Sequence, residues 1–331
     1  MADYLFGSAN IRTLEHAIIG RDRIERLLNA KTTDEAYALL EEYGVSIVRS
    51  EDGGAVAREE TLLGILKKAY ERVTELAPDS PALRLWLYPY DCNNLKAAIK
   101  AFVRGIDPSS MLFDFGTVSA KQIVGMVAKK SFQALSPRMQ AAAEEAIDAY
   151  AKTKNPQVID LIIDRACYAE MSDAANASDN EFVRRLVQTK IDLLNVTIAV
   201  RVLRMSGGEG GKPLFEDAFL PGGTLPKEAL SDAFTGGEAV LWERLRHSQY
   251  SAFAEEVAKS DGSLRALEKI ADNAWMSLVK EVRFVPDGLE VIVAFVAAHE
   301  YEVKNLRILL SGKEAGIDTQ TIRERIRESY V

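Results

Sequence analysis

Apolar residues recur at intervals of three and four along most of the chain, separated by short breaks rich in Gly, Pro, Ser and Asn, which is the signature of amphipathic helices. Start signals fall where those segments begin. Ser80-Pro81, Ser136-Pro137 and Asn155-Pro156 each place an N-cap residue before a proline, whose fixed φ and missing N–H suit the first helical position. Thr32 with Glu35, Ser119 with Gln122 and Ser178 with Glu181 have capping-box spacing ahead of helical patterns. Period-two runs of β-branched residues barely occur, and Val45-Ser46-Ile47-Val48 is the best strand candidate. The pattern predicts an all-α protein. Its longest unbroken apolar run, Val291 to Ala298, is eight residues, against roughly 20 for a helix that spans a bilayer. No transmembrane helix and no direct lipid insertion are expected.

The chain also repeats itself. Asp91-Cys-Asn-Asn94-Leu95-Lys96 matches Asp192-Leu-Leu-Asn195-Val196-Thr197 and Glu302-Val-Lys-Asn305-Leu306-Arg307, with the acids 101 and 110 residues apart. Each copy reads acid, two residues, Asn, aliphatic. A glycine turn follows each: Gly116-Thr-Val-Ser, Gly223-Thr-Leu-Pro and Gly316-Ile-Asp-Thr. Upstream of the second and third copies, Ile159-Asp160 and Asp164-Arg-Ala-Cys correspond to Leu267-Glu268 and Asp272-Asn-Ala-Trp. A single acid-x-x-Asn arises often by chance, whereas ordered triplicate spacing does not. The expected organisation is three similar helical domains, residues 1–117, 118–224 and 225–331, each of about the usual domain size. Ser206-Gly-Gly-Glu-Gly-Gly-Lys-Pro213 is expected to be the most flexible connection.

Positions three apart share a helix face, so Asp91 projects beside Asn94, Asp192 beside Asn195 and Glu302 beside Asn305. Their apolar neighbours, such as Leu95 and Ile99 or Leu306 and Leu309, place each polar pair at the border of a buried stripe. Such an Asn can bond a backbone group and its acid can meet an Arg or an orphan N–H. The favoured reading is a polar staple that fixes the packing of one long helix per domain; a shared ligand site is the alternative. Gly116, Gly223 and Gly316 mark loops that occur once per repeat and could face a partner together.

Composition narrows the chemistry. With 41 Lys+Arg, 49 Asp+Glu and a net charge of −8, the chain lacks the strong basic excess of a protein held on nucleic acid by phosphate neutralisation. Only Cys92 and Cys167 occur, without a Cys-x-x-Cys pair, which reads as buried free thiols. The opening Met1-Ala2-Asp3-Tyr4 lacks the basic and apolar regions of a secretory signal, so a cytoplasmic location is expected. Gly207 to Lys212 resembles a phosphate loop only superficially: Ser206 stands at the first glycine position and Pro213 follows the lysine. His16, His247 and His299 form neither His-x-x-x-His nor Glu-x-x-His, and no metal or other cofactor is expected. Asp160 with Asp164 and Glu268 with Asp272 read as solvated helix-face pairs rather than acid/base machinery. No catalytic residue is assigned.

Taken together, Tyr90-Asp91-x-x-Asn94-Leu95-Lys96, the closing Glu302-x-x-Asn305-Leu306-Arg307-x-x-Leu310-x-Gly312-Lys313-x-x-Gly316 and the opening Tyr4-x-x-x-Ser8-Ala9-Asn10-x-Arg12 resemble the C subunit of prokaryotic V-type (A-type) ATPases. The eukaryotic counterpart is the V-ATPase d subunit. The resemblance runs over the whole chain, with Asn195-Val196-Thr197 departing from the Leu-Lys/Arg that follows the other two asparagines. It implies a funnel of three similar helical domains about a pseudo-threefold axis. It also implies a non-catalytic central-stalk subunit, peripheral on the cytoplasmic face, seated between the central shaft and the membrane rotor ring for ATP-driven proton or sodium transport or for ATP synthesis. Two rivals make different demands: a helical-repeat adaptor of another complex would be an open superhelix, and an all-α enzyme would gather Asp164, Asp272 or Glu302 in one pocket.

Overall fold

The computed structural model describes residues 4–49, 56–77 and 80–331, so the opening Met1-Ala2-Asp3 lies outside the described residues. The protein is all-α. Among the described residues no strand forms, and Arg49 and Val56 make an isolated antiparallel bridge. Val45–Val48 is therefore loop. Its backbone is satisfied locally, Val48 N–H donating to Thr61 Oγ1 at 3.0 Å and the Val48 carbonyl accepting from Ala57 N–H at 2.9 Å.

Most start signals act as their chemistry suggests. Thr32, Ser119 and Ser136 accept hydrogen bonds from the backbone N–H three residues on, and Ser119 with Gln122 completes a reciprocal capping box. Ser178 does not. It closes the Gln157–Ala177 helix, Asp179 turns through φ +50°, and Asn180 caps the next helix by accepting from Val183 N–H. A short polar side chain after a left-handed residue outcompetes the serine two positions earlier.

Two compact units result: Met1–Asp79 with Glu256–Val331, and Ser80–Glu255. The first surrounds the Leu289–Glu314 helix, whose Val291–Ala298 run is buried all round, as an apolar stretch without a polar face requires. The second is built on the helices Tyr88–Arg104, Pro137–Thr153, Gln157–Ala177 and Glu181–Ser206. Its core includes Leu95, Ile99, Ile123, Ile159 and Ile163 together with Cys92 and Cys167, both of which are buried free thiols.

The Ser206–Pro213 stretch is more structured than its glycines suggest. Gly207 ends the Glu181–Ser206 helix in the left-handed region, and Glu209–Gly211 forms a 3-10 turn. Lys212–Ala218 is helical and buries Phe215 completely. A β-carbon at Gly211 would lie 2.2 Å from Ser206 Oγ. Gly211 permits close backbone packing, while Gly207 and Gly208 supply the positive φ angles of the turn.

Candidate functional site

Three helices carry the repeated motif: Tyr88–Arg104, Glu181–Ser206 and Leu289–Glu314. The acids and asparagines are all buried, with Asn94, Asp192 and Asn195 wholly withdrawn from solvent. Burial of an amide is tolerable only when its donors and acceptors are used. Each asparagine uses them the same way, gripping both backbone groups of one downstream residue. Asn94 accepts from Phe113 N–H at 2.8 Å and donates to the Phe113 carbonyl at 2.7 Å. Asn195 holds Leu220 at 2.8 and 2.9 Å, and Asn305 holds Arg327 at 2.8 and 3.1 Å. The gripped residues lie 19, 25 and 22 positions downstream.

The first two acids receive the segment that follows. Asp91 accepts from Thr117 N–H at 3.0 Å, Thr117 Oγ1 at 2.5 Å and Val118 N–H at 3.1 Å. Asp192 accepts from Thr224 N–H at 3.0 Å, Thr224 Oγ1 at 2.6 Å and Leu225 N–H at 2.9 Å. Burial pushes the Asp91 carboxyl above its ordinary value, against the pull of these donors. Asp192 has one more donor, the Tyr250 hydroxyl at 2.7 Å, and burial beside that carboxylate raises the tyrosine. Gly116 and Gly223 belong to this cradle. A β-carbon would come within 2.2 Å of Asp91 Oδ1 at the first and 2.1 Å of Asp192 Oδ1 at the second, so only glycine lets the backbone approach.

The third copy differs. Tyr330 and Val331 occupy the spacing that glycine and threonine hold elsewhere, while Gly316 is exposed, ends the helix region at φ +67° and touches no acid. Gly316 is thus not the counterpart of Gly116 and Gly223. Glu302 instead accepts from Ile19 N–H at 2.6 Å and is paired with His299. Gly20 fits under the carbonyl of Val331, 2.7 Å from where its β-carbon would be, and the Arg21 N–H points at that carbonyl.

Three of the upstream carboxylates are ion-paired, Asp160 and Asp164 while still partly exposed on the helix face and Asp272 largely withdrawn from solvent. Lys96 and Lys100 of the first motif helix reach Asp164 at 2.6 Å and Asp160 at 2.5 Å. Asp272 is a hub: Lys304 at 2.6 Å, Arg327 Nε at 2.9 Å and the Tyr301 hydroxyl at 3.0 Å all converge on it. Burial by itself raises the Asp272 carboxyl, but the two cations outweigh it and hold the group below the ordinary aspartate value. Sequence reasoning missed Thr117, Thr224, Tyr250 and Arg327; of these only the repeated Gly-Thr-aliphatic triplet left a signal.

Among the described residues no cluster of three metal-ligating side chains forms, and no helix is long and apolar enough to cross a membrane. The class defined by this arrangement is an all-α repeat-bearing protein whose most buried polar side chains are spent on holding its own backbone. Residues 8–325 match the family model described as ATP synthase (C/AC39) subunit, and the chain belongs to that family. It is 23% identical to the C subunit of the A-type ATP synthase of Methanocaldococcus jannaschii, over 98% of this chain and 86% of that protein. It is also 23% identical to the C subunit of the V-type sodium ATPase of Enterococcus hirae, over 97% of both chains. Identity to the C subunit of the A-type ATP synthase of Haloferax volcanii is 24%, over 96% and 95%.

Proposed function

We propose that this chain is a non-catalytic central-stalk subunit of a rotary V-type or A-type ATPase, a socket that couples the rotor shaft to the membrane rotor ring. Family membership across nearly the whole chain is the observation that carries the reading. The repeated clamps support it. Torque transmission needs a stiff body, and a buried asparagine that fixes both backbone groups of a distant residue removes freedom where helices meet their loops. We read the chain as three similar domains, 1–117, 118–224 and 225–331, arranged as a funnel, on the strength of the triplicate motif. The loops at Gly116 and Gly223, held to Asp91 and Asp192 by the same set of hydrogen bonds, face a partner in this reading; the Gly316 loop would do so by a different turn. In this role the protein sits peripherally on the cytoplasmic face through the ATPase complex, binds neither nucleic acid nor cofactor, and hydrolyses nothing itself.

Reconstitution tests this. Adding the purified chain to separated catalytic head with shaft and to membrane sector restores ATP-driven ion transport. Full coupling in its absence overturns the socket reading.

A further inference from the structure

Within the second unit a groove opens between the helices Tyr88–Arg104, Gln157–Ala177 and Glu181–Ser206. Its wider part holds about 400 Å³. Leu194, Ile198, Arg201 and Met205 line it from one helix, and Gln157, Leu161, Asp164 and Tyr168 from another. Both sets follow spacings of four, three and four, so each helix turns one whole face toward the groove. The apolar members of these faces are within reach of a partner. Leu161, Leu194 and Ile198 are half-buried and Met205 is 68% exposed, whereas Leu193, Val196 and Val200 on other faces of the same helix are sealed in the core. The groove continues along Tyr88–Arg104. A second hollow of about 330 Å³ shares Asn93 and Lys96 with the first and runs past Lys100 and Arg104 to Ile106 and Met111, which are 48% and 42% exposed. From Pro89 to Arg104 the helix rises roughly 22 Å, the length of one helix of about 15 residues.

Charge gives the groove a direction. Lys96 pairs with Asp164 and Lys100 with Asp160, which sets Tyr88–Arg104 antiparallel to Gln157–Ala177. The short turn at residues 178–180 makes Gln157–Ala177 antiparallel to Glu181–Ser206 and brings Arg201 level with Gln157. Arg201 and Arg104 thus lie toward the same end. The two aspartates are spent on the two lysines, and Arg104 makes no ion pair among the described residues. That end is basic and fringed by Met205, Ile106 and Met111, on a chain whose net charge is −8.

We propose that this groove seats an amphipathic α-helix of a protein partner, its apolar stripe on Leu161, Leu194, Ile198 and Met205 and its acidic end at Arg104 and Arg201. Such a helix presents anchors at intervals of three and four, which is the period of both walls. Covering the half-buried stripe drives association. Acidic residues beside Arg104, which has no carboxylate of its own, fix which way the helix lies. A helix C-terminus placed there adds its own negative partial charge. Nothing in this assignment depends on the socket role, so a partner helix that fails to bind leaves that role standing.

The probe is a fluorescein-labelled synthetic helix of about 15 residues, with leucines spaced three and four apart and glutamates in its last turn, titrated into the full chain by fluorescence anisotropy. Saturable binding at one site is expected, about tenfold tighter or more than for the same peptide with lysines in place of the glutamates. Met205→Asp and Arg104→Glu, both at exposed positions, should each weaken binding by about fivefold or more without moving the thermal melt. A benzoylphenylalanine set among the leucines should crosslink to the Gln157–Ala177 or Glu181–Ser206 helix. Absence of saturable binding, equal affinity for the two peptides, or unchanged affinity in both variants overturns the proposal. Pelleting with phosphatidylglycerol vesicles that is lost in Arg104→Glu, with no peptide binding, also overturns it and assigns the basic end to a lipid surface.

Discussion

Replacing Asn195 by alanine removes both partners of a backbone peptide that water cannot reach. Asn195 is wholly buried, Leu220 is 4% exposed, and the two hydrogen bonds between them run at 2.8 and 2.9 Å. The truncation leaves the Leu220 N–H and carbonyl unsatisfied, each at a cost of about 1 to 3 kcal/mol, offset in part because the buried amide itself is gone. A net loss of roughly 3 kcal/mol follows, enlarged slightly by the void left behind. The corresponding changes at Asn94 and Asn305 should cost less, about 1 kcal/mol each, since Phe113 and Arg327 are only partly buried and water can take over their backbone groups. The reasoning therefore predicts an order, with Asn195→Ala the most damaging of three chemically identical substitutions.

Denaturant unfolding of the three variants measures the order directly, with unchanged m-values showing that the folded state is intact. Amide hydrogen exchange gives the local reading: the Leu220 N–H, protected by Asn195 in the wild type, should exchange about a hundredfold faster in Asn195→Ala, the equivalent of roughly 3 kcal/mol. Asn195→Ala within 0.5 kcal/mol of wild type, or Asn94→Ala costing more, would refute the account of these clamps.

At the cradle, Gly223→Ala should destabilise by about 2 kcal/mol, because the new methyl displaces Asp192 from the N–H groups of Thr224 and Leu225; Gly44→Ala, where no atom lies within 4 Å but φ is +87°, should cost about 1 kcal/mol from backbone strain alone, and a thermal melt compares them. Asp272→Asn leaves Lys304 and Arg327 without their shared carboxylate and should cost roughly 2 to 4 kcal/mol at pH 7. Because the folded-state pKa of Asp272 is depressed, its contribution is fully present above the ordinary aspartate value of about 3.9 and fades as pH falls through the lower folded value. The difference between wild type and Asp272→Asn in unfolding experiments should shrink as pH falls below the ordinary aspartate value of about 3.9; a difference that grows on acidification contradicts the assignment.

The near half of each clamp was legible in the sequence and the far half was not. Acid and asparagine three apart share a face whatever the fold, so the helical period alone places Asp192 beside Asn195. Their targets are backbone groups. Phe113, Leu220 and Arg327 have no side-chain property in common because the asparagine reads only an N–H and a carbonyl, and loops of different length precede them. Where side chains or the lack of one mattered, the sequence did show a trace: Gly116-Thr117 and Gly223-Thr224 recur because the carboxylate needs both the hydroxyl and the bare α-carbon. Gly316 was misaligned with them for the opposite reason, since a left-handed glycine after a helix is a general terminator and carries no information about an acid. The glycines of Ser206–Pro213 misled in the same way, their composition being common to flexible tethers and to ordered turns that lead into a helix.

The third copy explains its own exception. Its acid is the only Glu of the three, and its backbone donor is the only one that precedes the motif: Ile19 instead of a residue following the clamp. An aspartate is short enough to be enclosed by a turn that passes directly over it, as Gly116-Thr117 and Gly223-Thr224 do. At Glu302 no glycine turn makes that approach, and the extra methylene carries the carboxylate to the Ile19 N–H. The consequence is structural. In the second unit the motifs fasten each helix to the loop that follows it, whereas in the first unit Asn305 holds Arg327 and Glu302 holds Ile19, so one helix binds both the early and the late segments of the chain. The Tyr330 hydroxyl bond to Glu15 and the grip of Arg12 on the carbonyls of Val282 and Val285 add to the same fastening. The repeated motif thus has one chemical task, to satisfy an otherwise orphaned backbone, and the length of its acid records whether that backbone is near in sequence or far.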